Sequence, residues 1–310
     1  MSSWPEQHHT SSFTRARSRT SDVIDLILPT VGRTSEPRRL LGSLATQTYR
    51  DFRLIIVDQN DDDRLAALVD EFGAGLSISH LRSAPGISRA RNVAVAHLDA
   101  DVIGFPDDDC WYAPDLLERV AAVLSANQEW GGVSGRSVDA DAHPTTGHYD
   151  KQRRMLTRYN LWSRVGSYKM FLRRRVIDTV GRFDEMLGVG SSGPWGGGED
   201  LDYALRAVDS GHLLYYDPSL VVFHPRRRET GSQPDPADGY RYGMGMGRVL
   251  RKGHLPVWFA GYHFARAFGA ASISFVQGRR DHARYHWAVG RGRLHGWSRL
   301  PEQVLRATGV

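Results

Sequence analysis

Between residues 23 and 105, short apolar runs alternate with segments whose apolar residues recur at helical spacing. The first run is closed by Pro29 and is typical of a buried strand. The segment after it places Leu40, Leu41 and Leu44 on one helical face. The predicted strands cover 23–28, 52–57, 76–81 and 102–105, and the predicted helices between them cover 35–47, 63–72 and 87–98.

Regular alternation of strand and helix predicts an α/β fold, with a mostly parallel central sheet, right-handed crossovers and flanking helices. In such sheets, ligands bind beyond the carboxyl ends of the strands. Thr30, Asp58 and the acidic run 107–109 each follow the end of a predicted strand. We therefore expect these polar residues to converge on one crevice.

The turn after the first strand reads Pro29-Thr30-Val31-Gly32-Arg33 and lacks the glycine pattern of dinucleotide-binding folds. The phosphate-binding pattern G-x-x-x-x-G-K-[ST] is absent from the whole sequence. These two absences argue against a dinucleotide-dependent dehydrogenase and against a phosphate-loop nucleoside triphosphatase.

The alternation of strand and helix patterns becomes less regular after residue 130, so fewer elements can be predicted in the second half of the chain. A helix is expected over 200–209, followed by strands over 213–216 and 219–223. Residues 226–247 are expected to form a loop because they are rich in Pro, Gly and Arg, and the stretch 240–248 is too rich in glycine for a stable helix. That stretch is either a plain connector or a mobile lid, and the tail from 255 is expected to be helical.

The sequence pattern divides the chain into a disordered N-terminal arm and two further regions. Residues 1–21 are polar and lack an apolar core, as expected of the arm. The main domain covers 22–225, in two halves that meet near residue 130. A loop and helical extension covers 226–310.

Composition and charge bear on the cellular location of the protein and on the kinds of partner that it binds. The formal charge of +5 is mild for 310 residues and does not indicate a nucleic-acid partner. One cysteine and the absence of an apolar leader favour a cytoplasmic protein. The most apolar late segment, Leu255 to Gln277, is interrupted by His263 and Arg266, which argues against a membrane span.

Two acidic sites stand out as candidate chemistry. In the run 107–109, three adjacent carboxylates repel one another, and a hard divalent cation would offset that repulsion. The alternative is a solvated acidic turn before the next helix. Glu199-Asp200 opens a predicted helix, where the pair acts either as a cap or, through Asp200, as a general base for a hydroxyl group. Trp195, just before this pair, offers an apolar face on which a sugar ring could stack.

Six segments in order resemble those of family 2 glycosyltransferases with the GT-A fold, and the resemblance covers about 23 to 224. The acidic run stands where that family has its D-x-D motif, and Gly198-Glu199-Asp200-Leu201-Asp202 resembles its G-E-D-x-D segment. The six segments are 28–33, 47–58, 86–92, 107–109, 181–185 and 198–202.

This resemblance implies an inverting, metal-dependent glycosyltransferase that takes a sugar from a UDP-, dTDP- or GDP-linked donor. The hydroxyl acceptor is expected to be a growing or lipid-linked glycan of the cell envelope. Donor-binding residues on this basis are Thr30, Arg33, Asp58, Arg89, Asn92, Asp107 and Asp108. Mn²⁺ or Mg²⁺ is expected on Asp107, Asp109 and His224, with Asp200 as the catalytic base and Glu199 orienting the acceptor. Acceptor-binding residues are Trp195, Gly197 and Gly198.

Several positions depart from the family pattern. Pro106 stands where the family usually has leucine, and the Trp195 segment carries one glycine more than the resembling W-G-G-E-D. Residues 255–276, with the arginines that follow them, either pack on the core or lie on a membrane surface. The competing functions are a sugar nucleotidyltransferase, a two-carboxylate glycoside hydrolase and a non-catalytic carbohydrate-binding scaffold.

Overall fold

The computed structural model describes residues 22–145, 150–225 and 234–298. The predicted arm, residues 1–21, lies outside the described residues, as does part of the predicted loop at 226–233. The strands are β1 Ile24–Thr30, β2 Phe52–Asp58, β3 Ile78–Arg82, β4 Val102–Gly104, β5 Trp111–Tyr112, β6 Trp130–Val138, β7 Arg154–Met155, β8 Met170–Arg173 and β9 Leu213–Phe223. The helices are α1 Ser35–Ala45, α2 Ala66–Gly73, α3 Ile87–Val95, α4 Leu116–Ala126, α5 Arg174–Val180, α6 Glu199–Asp209, α7 Pro236–Lys252, α8 Val257–Val276 and α9 Arg280–Ser298.

The strands form a mixed sheet in the order β3-β2-β1-β4-β8-β6-β9-β5, with β7 paired to β9. The first four strands in this order are parallel, as predicted. Strand β8 then runs antiparallel to both β4 and β6, and β9 runs parallel to β6. The α/β class is confirmed, but the expectation of a mostly parallel sheet holds only for the first half of the chain.

All seven residues of β1 are buried, because helices cover both faces of the sheet around it. Leu26 and Leu28 pack with the α1 leucines on one face, while Ile27 packs with Ala90 of α3 on the other. Successive strand residues point to opposite faces, so a strand covered on both sides is apolar throughout. The continuous apolar run in the sequence has this physical origin.

Strand β9 spans the two strands that were predicted over 213–216 and 219–223. Its pairing with β6 shifts register between Ser134 and Arg136, which accommodates Pro218 without ending the strand. The strand delivers His224 just beyond its last residue, next to the acidic run that follows β4.

The prediction of a glycine-rich loop at 226–247 is wrong for its second part, because Pro236–Lys252 forms the helix α7. The glycines of α7 serve close packing against α9: Gly243 and Gly247 lie against the backbone of Gly292 and Arg293. Asp235 caps the helix by accepting a hydrogen bond from the backbone N–H of Ala237. None of the helices in the described ranges combines the length and apolar character needed to cross a bilayer.

Substitution of Gly247 by alanine is expected to destabilise the fold by about 1–3 kcal/mol, since the new methyl group would overlap the carbonyl of Arg293. The matched control is Gly261→Ala in α8, where a methyl group meets open space. That change should leave stability equal or raise it by up to about 1 kcal/mol through helix propensity. Urea unfolding of both variants measures the difference, and equal stabilities would contradict close packing of α7 on α9.

Candidate active site

The carboxyl ends of β1 and β4 bring the first predicted residues together. Thr30, at the end of β1, donates a hydrogen bond of 2.7 Å to Asp108 Oδ2. Arg33 Nη1 lies 2.6 Å from Asp108 Oδ1 and 3.0 Å from Asp109 Oδ2. Burial, opposed by Arg33, raises the pKa of Asp108. Asp108 is therefore held in place by the last residue of β1 and by Arg33 in the turn that follows.

Asp107, Asp109 and His224 form the cluster predicted to hold a metal ion. One ligand atom from each lies within 4.8 Å of the others. His224 Nε2 lies 3.2 Å from Asp109 Oδ1, and its Nδ1 lies 2.8 Å from the carbonyl oxygen of Pro225. A carbonyl oxygen only accepts, so Nδ1 carries a proton and donates it, which leaves Nε2 to face the two carboxylates.

Burial and nearby charge set the ionisation of this cluster. Burial is the main reason why the pKa of Asp107 is raised to about 7, and Asp109 adds to the effect while Arg91 opposes it. Burial acts in the same direction on Asp109, but the hydrogen bond and charge of His224, with Arg33, bring its pKa down to about 2. Two carboxylate oxygens and one imidazole nitrogen are a donor set that suits Mn²⁺ or Mg²⁺.

The second acidic site lies at the start of α6. Gly198 precedes the helix with φ of 88°, in the left-handed region that favours glycine. Glu199 and Asp200 follow in the first turn, where carboxylates are favoured by the helix dipole. Burial first, and then the charge of Asp200, raises the pKa of Glu199. Asp200 is half-buried and accepts a hydrogen bond from the backbone N–H of Leu201.

A single guanidinium joins the two acidic sites. Arg91 lies on α3 and is fully buried, with 0% of its surface exposed. Its Nη2 lies 3.4 Å from Asp107 Oδ1, and its Nη1 lies 3.1 Å from Glu199 Oε1. Buried charges are retained where they are paired, and here both partners belong to the predicted site. The two acidic segments, far apart in sequence, therefore share one electrostatic centre.

A pocket of about 520 Å³ lies beyond the ends of β1, β2 and β3. Its wall includes the turn after β1 and the loop after β2, which are linked by a 2.7 Å hydrogen bond from Gly32 N to Asn60 Oδ1. The lining residues are Val31, Gly32, Gln59, Asn60, Asp61, Arg64, Ser83, Ala84 and Pro85. The pocket lies beyond the carboxyl ends of these parallel strands, where such sheets bind ligands, but none of the predicted site residues is among those that line it.

Comparison with known proteins identifies the family. The profile described as "Glycosyl transferase family 2" matches residues 25–181, just over half of the chain. This chain belongs to glycosyl transferase family 2. Relatives include glycosyltransferase AglE of Haloferax volcanii, 24% identical over 221 residues that make up 67% of this chain and 68% of AglE. The pre-mycofactocin glycosyltransferase of Mycobacterium tuberculosis is 26% identical over 66% of this chain but only 43% of its own length.

Solved structures agree on the fold of this glycosyltransferase. The mannosyltransferase PcManGT from Pyrobaculum calidifontis, in complex with GDP-Man and Mn²⁺, superposes with a TM-score of 0.61 at 15% identity. The match covers 90% of this chain and 88% of that one. S. aureus TarS 1-349 in complex with UDP-GlcNAc gives a TM-score of 0.55 at 12% identity, covering 88% and 91% of the two chains. These neighbours confirm the GT-A architecture, and the chain is a glycosyltransferase enzyme.

Within this family 2 glycosyltransferase, two residues predicted to bind the donor lie below the surface. Asp58 is fully buried, and its carboxylate accepts hydrogen bonds from the backbone and side chain of Asn60. Asn92 is also buried and donates hydrogen bonds to the Phe183 carbonyl and to Glu185. Both side chains hold loops that border the cleft, and neither presents its polar atoms to the open pocket.

Of the next two predicted residues, Arg89 is accessible and Trp195 is not. Arg89 is half-buried, and its Nε lies 3.2 Å from Glu185 Oε2. Trp195 is only 2% exposed, since α7 packs over it and Arg248 lies 5.1 Å from the centre of its ring. The expectation that Trp195 offers an open face to a sugar is therefore not met in this structure. The neighbouring Gly197 lies against Tyr242 of α7.

Lys169 is a residue of this site that the sequence analysis did not single out. It is 2% exposed, and burial lowers its pKa to about 8 while the charge of Asp200 opposes that shift. The backbone N–H of Lys169 donates to the Gly166 carbonyl, whereas its ammonium group forms no hydrogen bond or ion pair with the described residues. The chain contains three lysines, and nothing in the sequence distinguishes Lys169 from the other two. Only the fold shows that it is buried beside the acidic pair.

Proposed function

We propose that this glycosyltransferase moves a sugar from a nucleoside diphosphate donor to a hydroxyl acceptor with inversion at the anomeric carbon. The supporting observation is the joining of two acidic sites by Arg91. One site, with Asp107, Asp109 and His224, suits a divalent cation, and the other presents Asp200 as a base. This combination is what a single displacement with a charged leaving group requires.

The donor nucleoside is assigned to the 520 Å³ pocket beyond β1 to β3. Its diphosphate would then extend toward Arg33 and the acidic run, with Arg89 at the outer edge. The solved neighbours hold donors with different bases, GDP-Man in PcManGT and UDP-GlcNAc in TarS. UDP-, dTDP- and GDP-linked sugars therefore all belong in the first test.

The donor set of Asp107, Asp109 and His224 fits Mn²⁺ or Mg²⁺, and PcManGT was solved with Mn²⁺. Such an ion supplies Lewis-acid stabilisation of the departing diphosphate. The protein's own residues fix that site: Arg33 holds Asp109, and the Pro225 carbonyl orients His224. The second cluster of this kind in the described ranges, Asp139 with Asp141 and His143, lies mostly at the surface.

Asp200 is proposed to accept the proton from the acceptor hydroxyl. The acceptor oxygen forms a bond to the anomeric carbon as the bond from that carbon to the diphosphate oxygen breaks, and the proton goes to the Asp200 carboxylate. Glu199, held by Arg91, would accept a hydrogen bond from the acceptor sugar. No enzyme nucleophile is needed, because one displacement inverts the centre.

The acceptor is proposed to be a glycan, either growing or linked to a lipid, in cell-envelope polysaccharide assembly. A cytoplasmic location at the inner face of the plasma membrane would suit that acceptor. Glycosyl transferase family membership supports the sugar chemistry, and the surface described below supports the location. A non-catalytic scaffold on the same fold is the alternative, and it predicts no turnover of any nucleotide sugar.

Asp109→Asn is expected to weaken binding of the donor in the presence of Mn²⁺ by at least about 10-fold, since one ligand of the cation loses its charge. Calorimetry with UDP-, dTDP- and GDP-sugars, with Mn²⁺, Mg²⁺ or a chelator, measures the effect. Asp141→Asn, in the exposed second cluster, is the matched control and should bind as wild type. Donor binding that is unchanged by chelator and by Asp109→Asn would reject the metal assignment. Failure of every nucleotide sugar to bind would favour the scaffold.

A further inference from the structure

The outward face of α8 exposes large apolar residues near both ends of the helix, with the exposed Arg266 between them. A helix of 20 residues is about 30 Å long, and Arg266 is the one residue among Asp, Glu, Lys and Arg that it contains. The most exposed apolar side chain is Val276, at 86%. Exposed apolar residues occur at both ends of the helix: Val257, Trp258, Tyr262, Ile273, Phe275 and Val276. Exposed apolar residues grouped in this way mark an interaction site.

The neighbouring helix α9 exposes a basic stripe. Arg280, Arg284, Trp287 and Arg291 recur at intervals of three or four residues and are all exposed. Arg280 and Arg291 form no ion pair with the residues that the structure describes, and Arg284 has only a 3.6 Å contact with Asp281. Since Asp281 is the sole acidic residue of α9, the positive charge of this stripe is largely unneutralised.

The apolar face and the basic stripe meet at a groove of about 1020 Å³. Phe275, Val276 and Trp287 line its apolar part, and three of the arginines just named, 280, 284 and 291, also line it. An apolar channel bordered by guanidinium groups complements a molecule with a hydrocarbon chain and an anionic head group. Anionic phospholipids have this chemistry.

Helix α7 connects the groove to the acceptor side of the active site. Tyr240 lines the groove, and the carbonyl of the next residue, Arg241, accepts a 3.2 Å hydrogen bond from Gly196 N. One turn later, Gly245 lies against the backbone of Gly197. A partner bound at the groove would therefore have a fixed position relative to the loop that precedes Glu199.

We infer that the α8–α9 face, with its groove, binds the surface of an anionic phospholipid bilayer. The charge distribution favours this partner over a second copy of the chain. In a twofold dimer through this face, the arginine stripes of the two copies would be brought close to each other, and like charges oppose such contact. Binding to vesicles needs no sugar transfer, so its failure and the failure of the proposed catalytic function are separate results.

Flotation of the full chain with vesicles tests the electrostatic part. The protein should bind vesicles of equal parts phosphatidylcholine and phosphatidylglycerol, and bind phosphatidylcholine alone far less. An arginine near an anionic surface contributes roughly fivefold to partitioning, so Arg280→Gln/Arg284→Gln/Arg291→Gln should lower binding about 100-fold. The control Arg38→Gln/Arg119→Gln/Arg154→Gln makes the same change in net charge at other exposed arginines and should bind as wild type.

The apolar part is tested by Phe275→Ser/Val276→Ser, which should also lower vesicle binding. Met155→Ser/Leu213→Ser is the control, since both residues are exposed on the sheet. Equal binding to the two vesicle types, or equal loss in both arginine variants, would overturn the inference. Light scattering distinguishes a bilayer from a second copy of the chain as the partner. If Phe275→Ser/Val276→Ser halves the mass in solution and leaves vesicle binding intact, the partner is a second copy.

Discussion

Asp200→Asn is expected to lower the rate of sugar transfer by about 10²–10⁴-fold, the usual contribution of a positioned base. An amide has nearly the shape of the carboxylate but does not take a proton at neutral pH. The hydrogen bond from Leu201 N to the Oδ1 atom can persist in the variant, so the start of α6 should keep its geometry. Donor binding should stay near wild type, because the proposed metal ligands and the proposed nucleoside pocket lie on other elements.

The measurement compares transfer to an acceptor, single-turnover donor hydrolysis and donor affinity in the same preparations. Asp209→Asn, at the other end of α6, is the matched control, since its carboxylate pairs with Arg158 away from the cleft. It should transfer sugar at the wild-type rate. Transfer that survives Asp200→Asn would move the base to another residue, whereas loss of donor binding would show that Asp200 acts on the donor.

The first half of the fold could be predicted because its signals are local. Fully buried strands such as β1 require continuous apolar runs, and helices between parallel strands require helical spacing. The carboxyl ends of parallel strands meet at one edge, so the convergence of Thr30 with Asp108 followed from strand order alone. The presence of His224 beside Asp109 was proposed from the family resemblance, and the fold brings the two together.

The C-terminal half could not be predicted in the same way, because its structure depends on contacts between distant segments. Glycine lowers the helix propensity of α7, but close packing against α9 offsets that cost. The same packing buries Trp195. From the sequence, Trp195 was expected to be exposed because it lies next to a glycine-rich segment. Propensity acts within a segment, whereas these outcomes come from the partner helix.

Burial of charge was the other feature hidden from the sequence. Arg91 and Lys169 look like surface residues in a chain that contains 40 basic side chains, and only the fold shows them at the centre of the site. The acidic residues were visible because adjacent carboxylates are unusual after a buried strand. Their basic partner was not, since a lone arginine in a helix is most often exposed.

Arg91→Met is expected to destabilise the protein by about 3–5 kcal/mol, the usual cost of leaving a buried charge without its partner. Methionine fills much of the same space, so the loss would come from Asp107 and Glu199, whose carboxylates face the guanidinium at 3.4 and 3.1 Å. Arg119→Met removes an exposed pair with Asp115 and should cost less than about 1 kcal/mol. Urea unfolding compares the two variants.

A double-variant cycle decides whether the loss belongs to the ion pair or to packing. Glu199→Gln removes one of the two charges that Arg91 compensates, so Arg91→Met should cost less in the Glu199→Gln background than in wild type, by about 0.5–3 kcal/mol. Costs that add without coupling would mean that Arg91 stabilises the fold through its buried methylene stem. Coupling of the expected size would show that Arg91 and Glu199 stabilise the fold as an ion pair. In that case, neutralising Glu199 should also alter the environment of Asp107, the other carboxylate that Arg91 contacts.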